Sequence, residues 1–303
     1  MNTAISQALP VRENHWRIYL MVFGITALWA GNFIAVKFAV AEMSPVLAMG
    51  FRTVAAGLLM VPIFINTERS VEEKRALRTD FWFLCVLGIG GITLNQLFFT
   101  LAMDHTSVAH GSLIISTTPI SILILARLKK QERLTARKIL GMLVALSGVL
   151  LIQLTPGKAD GAHWVGDLFA LCGSLTFAAF TVFGKQVTSH HKSVTINAFA
   201  YFGGALALLP AIFWLAGGMD LGALSTRAWL AIAYMAVFPS VLCYLGYFHA
   251  LNYVSASRVA VFSYLQPVMA TLMAVPLLGE TVGSTLIAGG CIALLGVAIT
   301  QRG

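Results

Sequence analysis

The groups in this chain best suited to recognising a solute are amides, hydroxyls and aromatic rings set inside long apolar runs. Asn95, Phe98, Phe99 and Ala102 recur at the i, i+3, i+4 and i+7 spacing of one helical face, with Gln96 at its edge. Trp29, Asn32 and Phe33 form a similar face earlier in the chain, and Tyr244 and Tyr247 a third. An amide or phenol facing lipid in mid-membrane is costly, so these groups are expected to face a cavity or a neighbouring helix. Hydrogen bonding between helices is the structural alternative for each. Two prolines supply a second kind of polar group. A proline within a helix lacks the donor for the carbonyl four residues earlier, so Pro119 would free the carbonyl of Ile115 and Pro267 that of Ser263. These breaks flank Ser116, Thr117 and Thr118 in one segment and Tyr264 and Gln266 in the other. A kink whose carbonyls are taken up by Ser and Thr is the alternative.

The charged groups read differently. Arg52 lies well inside an apolar run, where an ionisable residue is a functional candidate by default; pairing with helix-end carbonyls makes it a structural charge. Lys37 and Lys185 stand near the ends of runs, where snorkelling is expected. Glu132 and Glu280 precede helices, a place where a carboxylate favours the helix N-terminus. His110, His190, His191 and His249 show no metal or catalytic spacing, and no nucleophile elbow, phosphate loop or HExxH is present. The reading is therefore of a non-enzyme with no cofactor. Its cysteines, Cys85, Cys172, Cys243 and Cys291, fall inside apolar runs with neither metal-ligand spacing nor exposed pairing.

The elements that must hold these groups are membrane helices. Of 303 residues, 58% are hydrophobic and 11% charged, far from ordinary globular usage. A helix crossing the hydrocarbon needs about 20 apolar residues. Ten such runs follow one another, at 18–40, 44–66, 81–103, 108–128, 134–154, 166–188, 194–216, 227–250, 255–278 and 282–301. The first is too long for a signal-peptide core and is read as a retained helix. The net charge of +8 sits in short loops, which speaks for orientation and against nucleic acid. With a cytoplasmic N-terminus, all but Lys37, Arg52, Lys158 and Arg227 of the 20 basic residues fall on the inside. The positive-inside rule then puts both termini in the cytoplasm.

Sliding the chain against itself by 148 positions exposes a repeat. Lys37 meets Lys185, Pro62 meets Pro210, Pro119 meets Pro267, Glu132 meets Glu280, and Gly141 and Gly148 meet Gly289 and Gly296. These glycines read as sites of close helix packing. Five spans per repeat force the second half to enter from the opposite side, and basic loops in the first half align with loops poor in basic residues in the second, as inverted-topology repeats require. The expected architecture is an all-α integral membrane protein: a cytoplasmic segment at 1–17, a first repeat at 18–155 and a second at 156–303.

The stretch 101–151, LAMDHTSVAHGSLIISTTPISILILARLKKQERLTARKILGMLVALSGVLL, and its counterpart from Ala250 resemble the EamA-type repeat of the drug/metabolite transporter superfamily. The start, LWAGNFIAVKFAV followed by SPVLAMGFRT, is similar to that family's first two helices. The resemblance covers nearly the whole chain and implies a ten-helix metabolite exporter, with a central cavity lined mainly by spans 3, 4, 8 and 9 and with spans 1 and 6 nearby. Small multidrug members of the superfamily bind cations on a first-helix Glu; here Leu28, Trp29 and Asn32 occupy that region, so a drug-cation antiporter is disfavoured. A polyanion carrier should offer several bases. What remains is a neutral or zwitterionic, partly apolar solute, with amino acids the leading class. The expected binding residues are Trp29, Asn32, Asn95, Gln96, Phe99, Ser116, Thr117, Tyr244, Tyr247, Tyr264 and Gln266, with Pro119 and Pro267 as helix breaks. The expected setting is a bacterial inner membrane, with the chain as a monomer whose partners are lipid and a small-molecule solute. Export of other amphipathic metabolites or drugs, a non-saturable channel and a lipid translocator are the alternatives.

Overall fold

The computed structural model describes residues 16–105, 114–153, 164–278 and 284–303. Glu280, His110 and Lys158, weighed above, lie outside the described residues. Within them the chain is helical, with no strand. The helices are α1 (Trp16–Val40), α2 (Pro45–Asn66), α3 (Val71–Gly88), α4 (Leu94–His105), α5 (Thr118–Leu128), α6 (Ala136–Gln153), α7 (Trp164–Val187), α8 (Ser193–Ala216), α9 (Thr226–Met235), α10 (Cys243–Tyr253), α11 (Ala256–Ala260), α12 (Gln266–Leu278) and α13 (Ser284–Gln301). Six helical segments are long and apolar enough to cross a membrane: α1, α2, Val71–His105, α7, α8 and Thr226–Tyr253. Leu58, Phe213, Trp214 and Leu230 are exposed on these segments, as a lipid solvent permits.

Local chemistry sets the helix starts. Ser44 accepts the Leu47 N–H at 3.3 Å and Pro45 opens α2; Ser70 accepts from Glu73 at 3.1 Å, and Ser225 from Ala228 at 3.2 Å. Such caps satisfy donors that have no partner within the helix. Pro119 and Pro267 occupy the second positions of α5 and α12, where proline is tolerated, and each follows an interruption of its helical segment: a turn at 116–117 before α5, and the 3₁₀ stretch Val261–Leu265 that joins α11 to α12 without a gap.

Two further mid-span irregularities are π-helical. Ile89–Thr93 joins α3 to α4 as a π-helical turn, and Ala236–Leu242 joins α9 to α10 in the same way. These two segments coincide under the 148-residue repeat. In one the weak point is Gly90–Gly91; in the other it is Pro239. π turns of this kind are rare and often accompany functional sites.

The halves also touch in a reciprocal pattern. A Cβ at Gly141 would meet the Gly296 carbonyl at 2.7 Å, and one at Gly148 would meet the Gly289 carbonyl at 2.5 Å. Gly289 and Gly296 are the repeat mates of Gly141 and Gly148, so each glycine faces its partner's mate, as a two-fold relation demands. This glycine seam lets α6 and α13 form the most extensive helix pair among the described residues.

Candidate functional site

A cavity lies at the junction of the halves, about 100 Å³ of it open to the centres of water molecules. Its wall obeys the repeat. Thr26 and Ser174, Trp29 and Phe177, Gln96 and Tyr244, Phe99 and Tyr247, and Thr118 and Gln266 are lining pairs 148 residues apart. The aromatic part is a connected cluster. The Trp29 ring stands 5.4 Å from that of Tyr247, 5.7 Å from Tyr244 and 5.8 Å from Phe177, and Phe33 meets Phe99 edge-on at 5.1 Å. Edge and tilted arrangements of this kind are the favoured geometry of aromatic pairs.

The polar groups are mostly fixed across the interface. Asn95 Nδ2 donates to the Gly173 carbonyl at 2.8 Å, while its repeat mate Cys243 directs Sγ at the Ile25 carbonyl at 3.7 Å. Ile25 is the mate of Gly173, so the bond is made twice, once in each direction. Gln96 Nε2 donates to the Tyr201 hydroxyl at 3.2 Å, with the Tyr244 hydroxyl beside it. Trp29 Nε1 donates to the Pro239 carbonyl at 3.2 Å, and the Tyr247 and Thr181 hydroxyls share a bond of 3.0 Å. Asn32 Oδ1 is buried without a hydrogen-bond partner among the described residues.

Of the residues singled out from sequence, the structure brings Trp29, Asn32, Asn95, Gln96, Phe99, Tyr244, Tyr247 and Gln266 to this cavity. It does not bring Ser116, Thr117 or Tyr264 there. Thr117 borders a separate surface groove with Trp164 and Leu168 and bonds the Ile114 carbonyl; Ser116 is buried away from the cavity, and Tyr264 is fully buried behind it. Phe98 turns aside to stack on Phe169. Each of the two proline-freed carbonyls, on Ile115 and Ser263 of the cavity wall, already accepts one bond. The Thr118 hydroxyl bonds the Ile115 carbonyl, and a tight 3₁₀ turn over Val261–Leu265 gives the Ser263 carbonyl the Gln266 N–H.

Several charges differ from expectation. Lys37 and Lys185 do not snorkel: Lys37 Nζ bonds the Met103 carbonyl, and Lys185 Nζ bonds those of Leu251 and Val254 at 2.6 and 2.8 Å. Each lysine thereby serves the last turn of the neighbouring segment, and Met103 and Leu251 are again repeat mates. Glu132 does not cap its own following helix, whose first turn uses Thr135. It accepts the Ser257 N–H at 3.0 Å, the Ser257 hydroxyl and Lys138 Nζ at 2.8 Å, tying the α5–α6 loop to α11 of the other half. Burial alone would raise the Glu132 pKa, but the Lys138 and Ser257 hydrogen bonds hold it below the ordinary glutamate value. Among the described residues Arg52 is not paired with helix-end carbonyls; its Nε donates to Ser240 Oγ at 2.8 Å and it lines the cavity. Phe177, Thr26 and Ser174 also line it and were not expected to; Thr118, already named beside the Pro119 break, lines it too. The first three are repeat mates of, or stand one turn from, residues already on the Trp29 face, so the 148-residue register carried the signal.

A helical bundle with long apolar segments and a cavity enclosed by two related halves defines a membrane transport protein rather than a soluble binding module. Residues 16–154 and 164–302 each match the EamA-like transporter family, and the chain belongs to that family. It is 29% identical over 288 residues to the uncharacterized transporter YyaM of Bacillus subtilis, covering 93% of each chain. It is 29% identical over 278 residues to an uncharacterized transporter of Archaeoglobus fulgidus, covering 90% of this chain and 95% of that one. The uncharacterized inner membrane transporter YedA of Escherichia coli is 25% identical over 270 residues, 86% of this chain and 82% of YedA. One solved crystal structure superposes with a TM-score of 0.75 at 18% identity, over 95% of this chain and 97% of that one, a likeness of fold.

Proposed function

We propose that this chain exports small neutral or zwitterionic metabolites, amino acids with apolar or aromatic side chains foremost, by alternating access. It would cross the inner membrane ten times as two inverted five-span repeats, with both termini cytoplasmic, and act as a monomer. The observation that carries the reading is the cavity itself. Both repeats contribute to it in matched pairs, its walls are aromatic, its few polar groups are amides, hydroxyls and the single guanidinium of Arg52, and the described lining residues include no Asp or Glu. Apolar walls with a few placed polar groups are the usual make-up of a small-molecule site. A lining without carboxylates gives a cationic drug no counter-charge.

Counterflow in proteoliposomes tests the function. Vesicles preloaded with unlabelled phenylalanine, leucine or methionine should accumulate the labelled amino acid transiently and saturably. Non-saturable uptake would favour a channel, and no uptake across a full amino-acid panel would remove amino acids from the reading. Topology is checked separately by impermeant thiol labelling of single cysteines in a cysteine-free background: Arg227→Cys should label from the periplasm and Lys129→Cys should not.

A further inference from the structure

Arg52 carries a permanent positive charge, is 3% exposed and faces the cavity. Its side chain is held in place from one edge. Pro239 has no N–H to offer the Met235 carbonyl four residues earlier, and the Ser240 hydroxyl bonds that carbonyl at 2.7 Å. The same hydroxyl accepts Arg52 Nε at 2.8 Å, so a residue of the second half fixes the guanidinium of the first. The far edge is left over: Nη1 is buried with no hydrogen-bond partner among the described residues. No ion pair involving Arg52 is found among them either. The titratable groups that face it are the phenols of Tyr201, Tyr244 and Tyr234 and the thiol of Cys243, none of which is a carboxylate.

A buried cation without a counter-ion, and with donors to spare, is costly unless an anion arrives. A guanidinium is matched in shape and charge to a carboxylate, which accepts two parallel N–H bonds. On the same cavity wall, Asn32 Oδ1 is a buried acceptor without a partner among the described residues, and the Trp29, Tyr244 and Tyr247 rings line the cavity, aromatic groups of the kind that attract a cation. We infer that Arg52 is the seat of the solute's carboxylate, with an ammonium group directed toward Asn32 and these rings. The repeat mate of Arg52 is Ala200, so the seat is single and gives a cavity of two-fold shape one charged end. This inference rests on the transport reading above and narrows its cargo to carboxylate-bearing solutes.

The test compares ligands on the unaltered protein, so it does not depend on any variant folding. Binding of L-phenylalanine, 3-phenylpropanoate (no ammonium) and phenethylamine (no carboxylate) to the full chain in nanodiscs is measured by calorimetry, with leucine and its amine as a second set. Phenylalanine and 3-phenylpropanoate should bind saturably, and phenethylamine about tenfold more weakly or worse, the worth of one charge-assisted hydrogen bond. Arg52→Gln, in protein of equal monodispersity, should abolish that difference. Phenethylamine binding as tightly as phenylalanine would overturn the carboxylate seat and leave the transport reading intact. Saturable amino-acid counterflow that discriminates carboxylates equally well in Arg52→Gln would do the same. Absence of binding by every member of both sets, together with no counterflow, would overturn the amino-acid reading and the seat with it.

Discussion

Substituting alanine at Gly148 probes the contact that joins the two halves. The added Cβ would stand 2.5 Å from the Gly289 carbonyl oxygen and 2.6 Å from the Ala293 nitrogen, both backbone atoms, and 3.1 Å from Ile292 Cβ. Neither backbone atom can swing away as a flexible side chain would. To restore an ordinary 3.4 Å contact, α13 must retreat by about 0.9 Å, and a gap of that size forfeits a quarter to a half of each neighbouring dispersion contact. Overpacking of this kind costs about 1–3 kcal/mol. Alanine's better helix propensity returns up to ~1 kcal/mol. The net loss, up to about 2 kcal/mol, should lower the apparent melting midpoint by up to roughly 4 °C in a chain of this size. The assay is thermal unfolding of purified protein at one scan rate, followed by intrinsic fluorescence. Gly24→Ala is the internal control, because nothing lies within 4 Å of a Cβ there and only the propensity gain remains. A Gly148→Ala protein that melts at or above the wild-type midpoint would refute the close approach of α6 and α13.

Three further outcomes are expected. Trp29→Ala removes a ring that touches three other cavity aromatics and should raise the KM for amino-acid counterflow about fivefold or more, the effect of losing roughly 1 kcal/mol of binding; Tyr264→Phe, behind the cavity, should leave KM unchanged. Because the Glu132 pKa is depressed in the folded protein, its stabilisation is present above the ordinary glutamate value and lost as pH falls through the lower folded one; wild type and Glu132→Gln should therefore differ in melting midpoint at neutral pH and converge in acid. Lys185→Met strips the donor from the Leu251 and Val254 carbonyls and should cost about 1–3 kcal/mol per buried group left unpaired, read as a lower melting midpoint.

The helical membrane character and the repeat were legible because both are written in patterns longer than any local error. Apolar runs and a fixed 148-residue offset survive substitution of individual residues. The cavity was legible in part for the same reason: Asn95, Gln96, Tyr244 and Tyr247 were found by facing, and Phe177 could have been found as the mate of Trp29. What one strand of sequence does not hold is the partner of each polar atom. The break at Pro119 is legible, but not that the Thr118 hydroxyl takes up the Ile115 carbonyl there. Arg52 was read as structural because its neighbour Ser240 lies 188 residues away. The π turns left no common signature, since Gly90–Gly91 and Pro239 weaken the same place by opposite means, one by freedom and the other by a missing donor.

The polar bonds that cross between the halves have a consequence for how the chain is made. Arg52 to Ser240, Asn95 to Gly173, Gln96 to Tyr201, Thr118 to Ser174 and Glu132 to Ser257 each pair a residue synthesised early with one synthesised much later. Until the second half emerges, the first must hold these groups in the bilayer or at its surface without their final partners. Lys37 differs, because its acceptor Met103 belongs to the same half and is in place early. The first repeat thus leaves the ribosome with the Lys37 bond within reach and its interior unfinished, and the late arrival of α7, α8, the Ala236–Leu242 turn and α11 supplies the missing partners.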